Sequence, residues 1–203
     1  MKNMLRDAGI LFVITVAAGL ILGFVYQITK EPIATQQEAT ASAAYAEVFA
    51  QADHFEEVTE APAIVESEWK TMGYGQVSVG AVLCALDASG NQLGYVINVT
   101  SHDGYGGDIS IAVGISNDGL VNGISILDIS ETAGLGMRAE EVLKPQFASK
   151  NVTNFSYTKT GATMDSQIDA ISGATITTNA VTTAVNGGLY YFQTALGGGS
   201  GNE

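Results

Sequence analysis

Cysteine, histidine and basic side chains are scarce in this 203-residue chain, and each scarcity excludes something. A single cysteine, Cys84, leaves no partner for an internal disulfide. One cysteine and two histidines are too few for a zinc or iron–sulfur centre. Lys and Arg total 8 against 21 Asp and Glu, a net charge of −13. Phosphate contacts need cations, so nucleic acid is excluded as a partner, and anionic lipid headgroups would repel such a chain. No Gly-x-Ser-x-Gly elbow accompanies His54 or His102, and both read as surface residues. There is no internal repeat.

One long apolar run is present. Ala8 to Ile28 carries no charge and as a helix spans about 31 Å, close to the hydrocarbon thickness of a bilayer. A cleaved signal peptide is the rival reading, but Tyr26-Gln27-Ile28-Thr29-Lys30-Glu31-Pro32 is a poor cleavage site. The sequence therefore predicts residues 1–7 as a cytoplasmic N-terminus, 8–28 as a transmembrane anchor, 29–196 as an extracytoplasmic domain and 197–203 as a flexible tail. The orientation follows from Lys2 and Arg6 preceding the helix. Gly19-x-x-x-Gly23 offers a close-packing face to a partner helix, although glycine is common in membrane helices. Pro32 is expected to end the anchor region.

Beyond Pro32 the pattern predicts an α+β domain. Ala34 to Ala52 reads as a juxtamembrane helix docking through Tyr45, Val48, Phe49 and Ala52. His54 to Ser67 is acidic and reads as a loop. Strands are expected over Val77–Leu86 and Leu93–Thr100, joined by a turn, and over Ile109–Ile115 and Leu120–Ile129, joined by Asn117-Asp118-Gly119. Two successive hairpins imply a largely antiparallel, twisted sheet. A short helix is expected around Arg138–Leu143, with further strands at Phe155–Thr160 and Ile168–Ala170. Val181, Val185, Leu189, Phe192 and Leu196 recur at helical spacing and predict a C-terminal helix. Cys84, in an alternating strand, reads as a buried small hydrophobe.

The stretch Asp169-Ala170-Ile171-Ser172-Gly173-Ala174-Thr175 precedes that helix. Its Ser-Gly-Ala run would let a bulky phosphate approach the backbone. Thr175, Thr177 and Thr178 fall at the strand-to-helix junction, where threonine is an N-cap residue. A helix N-terminus offers unpaired N–H groups and partial positive charge, a seat for an anion. Asp169 could hold a cation or hydrogen-bond the threonine hydroxyl. The plainer reading is a turn followed by a threonine-capped helix. The seven residues resemble the acceptor motif of proteins that carry FMN covalently, in which Asp, two variable residues, and Ser or Thr precede Gly-Ala-Thr. That resemblance implies an FMN phosphoester on Thr175, with Asp169, Ser172, Gly173, Ala174 and Thr178 around it.

Gly104-Tyr105-Gly106-Gly107 and Glu131-Thr132-Ala133-Gly134-Leu135-Gly136 extend the likeness. With the anchor and the acceptor motif they resemble the G subunit of the Rnf complex, a membrane-bound, ion-translocating ferredoxin:NAD oxidoreductase. The C subunit of the sodium-pumping NADH:quinone reductase is a relative. Ala133 departs from the proline common in the family, which costs loop rigidity. The resemblance implies an electron-relaying FMN subunit in the cytoplasmic membrane. It also implies other redox subunits as partners and a separate flavin transferase that uses FAD and a divalent cation. Gly134 and Gly136 would let backbone approach the isoalloxazine, and Leu135 would lie on its face. Glu131 and Thr132 would reach its pyrimidine side or ribityl hydroxyls, and Tyr105 would lie beside the ring. A tight turn capping the next helix is the alternative for the Glu131–Gly136 loop. A stand-alone extracytoplasmic flavin carrier, the C subunit of a sodium-pumping NADH:quinone reductase and a non-redox anchored module are the alternatives for the protein.

Overall fold

The computed structural model describes residues 2–59, 69, 71 and 73–198. The chain divides into two units, Met1–Ser42 and Ala43–Glu203. Most of the expected tail, 199–203, lies outside the described residues, as does 60–67 of the expected acidic loop.

Helix α1 runs from Lys2 to Val48. Its most apolar window has a mean hydropathy of 2.6, and none of that window is buried within the protein. Leu11, Phe12, Leu20, Leu22 and Phe24 are each 68–71% exposed, so something other than water must cover them. Thr29 donates its hydroxyl to the Val25 carbonyl at 2.9 Å, and Thr15 makes the same bond to Leu11. Hydroxyls tied to the backbone in this way leave no polar group unmet in an apolar setting. Contrary to the expected break, Pro32 sits inside α1. Proline removes one intrahelical N–H, but the Ala, Gln and Glu residues that follow are strong helix formers and carry the helix on.

The second unit is built on an antiparallel meander, β1-β2-β3-β4-β5. The strands are β1 His54–Glu57, β2 Val77–Leu86, β3 Gln92–Ser101, β4 Ile109–Ser116 and β5 Val121–Ile129. β2 to β5 follow the predicted hairpins. β1 falls where a loop was expected. Three of its four residues are polar, as suits a short, exposed edge strand, and among the described residues it pairs with Leu83–Leu86. Asp87 closes the β2–β3 turn by accepting the Ser89 and Asn91 N–H groups, each at 2.8 Å.

One face of the sheet is covered by helix α3, Thr175–Ala195. Val181, Val185 and Leu189 meet Ile97, Val99, Ile111 and Val113 in the main core, all 2% exposed or less. Between β5 and α3 the chain makes a 3₁₀ turn, Gly136–Arg138, a short helix α2, Ala139–Val142, and a second 3₁₀ turn, Lys144–Phe147. Two short strands, β6 Ser156–Thr158 and β7 Gln167–Asp169, pair in parallel as a separate sheet. Buried Asn186 fixes this region. It accepts the Phe155 N–H at 2.7 Å and donates to the Phe155 carbonyl at 2.9 Å.

The opposite face of the sheet receives the end of α1. Val48 and Phe49 pack with Ala85, Val96 and Ala112. A Cβ on Gly114 would lie 2.7 Å from the Val48 Cβ, so only glycine admits this contact. Polar bonds fix the seat. Ser125 Oγ donates to Glu47 at 2.6 Å, Lys144 pairs with Glu47 at 2.7 Å, and Asn98 donates to the Tyr45 hydroxyl at 2.6 Å. Cys84 is half-buried rather than buried, and burial, then the Glu56 charge, pushes its thiol up.

Deleting Met1 to Thr29 is expected to give a chain that stays in solution without detergent and unfolds cooperatively in urea. In that chain Phe49→Ala should cost about 3 kcal/mol or more. A loss under about 1 kcal/mol would mean that the end of α1 is not part of the core.

Candidate functional site

Three segments distant in sequence meet around a cavity of about 450 Å³, within the usual range for small-molecule sites. The glycine loop after β3 supplies Tyr105. The loop after β5 supplies Glu131, Thr132, Leu135 and Gly136. The turn into α3 supplies Gly173, Ala174, Thr175, Ile176 and Thr177.

The turn is fixed by its own backbone. Ala174 N–H bonds the Ile171 carbonyl at 3.0 Å, and Gly173 has φ +81°. A positive φ at the third residue is what a type II turn requires, hence glycine there. Helix α3 begins at Thr175, and Thr178 N–H makes the first intrahelical bond, to Ala174 at 3.0 Å. The N–H groups of Thr175, Ile176 and Thr177 precede that bond and give this end of the helix its partial positive charge. The expected threonine N-cap is not found. Ala174 occupies the cap position and no side chain caps the helix. Thr178 instead fastens the turn from below. Its hydroxyl accepts the Ile171 N–H at 3.1 Å and donates to the Ala174 carbonyl at 2.9 Å. It is fully buried and does not line the cavity.

Glu131 lines the cavity and also braces the glycine loop. One carboxylate oxygen accepts the N–H groups of Tyr105 at 2.8 Å and Gly106 at 3.3 Å, tying the glycine loop to the β5 loop. Gly136 is needed for packing among the protein's own atoms. A Cβ there would meet Thr177 Oγ1 at 2.6 Å and Glu131 Cβ at 2.7 Å. Leu135 leans over the turn, 3.2 Å from where a Cβ on Gly173 would stand. His102, at the entrance of the glycine loop, lies between Ser78 Oγ at 3.0 Å and Asp108 at 2.9 Å. Asp103 accepts the Gln76 N–H at 2.9 Å.

Of the residues singled out in the sequence, Tyr105, Glu131, Thr132, Leu135, Gly136, Gly173, Ala174 and Thr175 surround one cavity. Asp169, Ser172, Gly134 and Thr178 do not line it. The Asp169 carboxylate accepts the Ala162 N–H at 2.6 Å, and its backbone is bracketed by Gln146, which accepts the Asp169 N–H at 2.6 Å. Gln146 was not legible as a site residue, because glutamine in a short helical turn looks like surface. Ile176 and Thr177 were also missed as lining residues. Their signal was the helix start itself, since the first turn of a helix that opens on a cavity presents its side chains there.

The walls suit a mixed ligand. Tyr105, Leu135 and Ile176 are 69%, 42% and 52% exposed and offer apolar surface. The α3 N-terminus offers donors to an anion. Gly173, Ala174 and half-buried Thr175 share one stretch of the wall. Among the described residues no cluster of three His, Cys, Asp or Glu side chains could hold a metal ion.

The FMN-binding domain family matches residues 104–190, which hold every wall of the cavity, and the RnfG N-terminal region matches residues 1–48. The chain is 32% identical over 186 residues to the G subunit of the Na(+)-translocating ferredoxin:NAD(+) oxidoreductase complex of Acetobacterium woodii, covering 91% of this chain and 89% of that protein. It is 29% identical over 198 residues to the G subunit of the ion-translocating oxidoreductase complex of Aliivibrio fischeri, covering 96% and 92%. The crystal structure of Shewanella oneidensis NqrC aligns with 56% of this chain and 58% of its own, at 21% identity and a TM-score of 0.47.

Removing the Glu131 carboxylate should release the glycine loop. Glu131→Ala is expected to raise amide hydrogen exchange at Tyr105 and Gly106 and to cost about 1–2 kcal/mol, since the bonds are charge-assisted but partly exposed. Unchanged exchange at both amides would show that the loop is held some other way.

Proposed function

The chain belongs to the family of G subunits of ion-translocating oxidoreductase complexes, and from that premise we propose that it is a membrane-anchored flavoprotein that relays electrons through an FMN esterified to Thr175. The observation that carries this reading is the position of Thr175. It is the first residue of α3, on the wall of a cavity that joins the glycine loop, the β5 loop and the Ser-Gly-Ala turn.

The residues present fit the cofactor. A phosphodiester on Thr175 would lie against the N-terminal amides of α3, where one negative charge is favoured. Leu135 and Ile176 would bound the ring with apolar surface, and Tyr105 would stand at its margin. When bound, FMN supplies one- and two-electron chemistry, and the protein's part is to position and tune it. Thr175 is the nucleophile in attachment. Its oxygen bonds to the flavin-side phosphorus of FAD, AMP leaves, and the hydroxyl proton passes to solvent. A separate flavin transferase with a divalent cation would catalyse that exchange. Glu131 holds the glycine loop against the site, and Thr178 holds the acceptor turn on the helix.

A single span, 8–28, anchors the protein in the membrane. The basic residues Lys2 and Arg6 before it favour a cytoplasmic N-terminus and an extracytoplasmic domain. A covalent tether suits that side, because lost flavin could not be replaced there. Other subunits of the redox complex are the electron donor and acceptor.

Thr175→Ala is expected to abolish covalent flavin without unfolding the domain, and Thr175→Ser to retain part of it, as read by intact mass after co-expression with a flavin transferase. Covalent flavin persisting on Thr175→Ala would overturn the assignment. Leu135→Ala should leave attachment intact and shift the flavin's absorption and potential. An unchanged spectrum and potential would place Leu135 away from the ring. Protease added outside sealed cells should cleave the domain, whereas protection would reverse the topology.

A further inference from the structure

Thr177 differs from the other buried threonines of α3, Thr178 and Thr182. As a residue it is 1% exposed and lines the cavity, and among the described residues its hydroxyl makes no side-chain hydrogen bond to another protein group. Its neighbours behave otherwise. Thr178 bonds back to the Ala174 carbonyl, Thr182 to Thr178 and Thr194 to Tyr190. Such back-bonding needs the carbonyl four residues earlier to point along the helix. For Thr177 that residue is Gly173, which lies in the turn with φ +81°, outside the helix. The local route is therefore closed. Gly136 crowds the hydroxyl from one side, with its Cβ position 2.6 Å from Thr177 Oγ1. The remaining side is the cavity, whose wall includes Thr177.

A hydroxyl at the wall of a cavity that bonds no protein group is available to bond a ligand there. Here it stands in the first turn of a 21-residue helix, beside the amides that favour an anion. We propose that the Thr177 hydroxyl donates a hydrogen bond to a phosphoryl oxygen of the ligand at the N-terminus of α3, and so fixes the phosphate against the helix. This rests on the reading of the site as the seat of FMN. It makes Thr177 a positioning residue for the cofactor, distinct from Thr175, which bonds to the phosphorus.

The test uses the full chain in detergent, as wild type, Thr177→Val and Thr177→Ser. Valine keeps the shape and removes the hydroxyl. Without flavin, Thr177→Val should melt no lower than wild type, because the hydroxyl it removes has no protein partner. A lower melting temperature would mean a structural role and overturn the proposal. With flavin attached, the ³¹P resonance of the phosphodiester should move in Thr177→Val and return in Thr177→Ser. A resonance unchanged in Thr177→Val, or shifted equally in both variants, also overturns it.

Intact mass of Thr175→Ala is read separately and decides only which threonine carries the ester. The ³¹P comparison reports on Thr177 wherever the ester lies. If the wild type takes up no covalent flavin, the acceptor reading fails. The comparison is then made by fluorescence titration with free FMN. Thr177→Val should bind roughly tenfold more weakly. Equal affinity, or no binding by the wild type, counts against the proposal.

Discussion

The contact of Gly136 with Thr177 and Glu131 is the constraint on which the site depends. At this point the β5 loop, the first turn of α3 and, through the Glu131 carboxylate, the glycine loop are held within van der Waals reach of one another. Any side chain at 136 would separate the loop from the helix by the width of a methyl group. The cavity between them would then change shape. The apolar side chains, the helix amides and Thr175 owe their juxtaposition to this one small residue.

Much of the fold was legible because the sheet alternates and its turns are chemically explicit. Asp87 and Asn117-Asp118-Gly119 mark the hairpins, and β2 to β5 fall where the alternation placed them. β1 was not legible, because an edge strand need bury little and His54-Phe-Glu-Glu reads as loop. β6 and β7 are three residues each, and their parallel pairing depends on chain brought in from elsewhere, such as Gln146 and Asn186. Pro32 marked a break that the surrounding helix formers override.

In the site, composition pointed to the right segments more often than to the right jobs. The motif and the two loops do come together. Glu131, read as a ligand, lines the cavity and with one carboxylate oxygen also holds backbone amides of a neighbouring loop. Thr178, also read as a ligand, is a buried fastener. Thr177 looked like a capping residue and instead lines the cavity without capping the helix. These differences share a cause. Sequence shows which polar groups are near a turn, but only the folded backbone shows which of them already have partners.

The meander has a consequence for the order of events in the life of the chain. The cavity walls run from Tyr105 to Thr177, with strands, loops and a helix in register between or beneath them. Contacts so far apart in sequence form late, after loop-closure entropy has been met. A seven-residue peptide with the same motif would have the threonine and none of the walls. Occupancy of the cavity therefore reports completed folding. Any ligand that recognises the walls draws on the stability of the whole domain and adds to it by mass action.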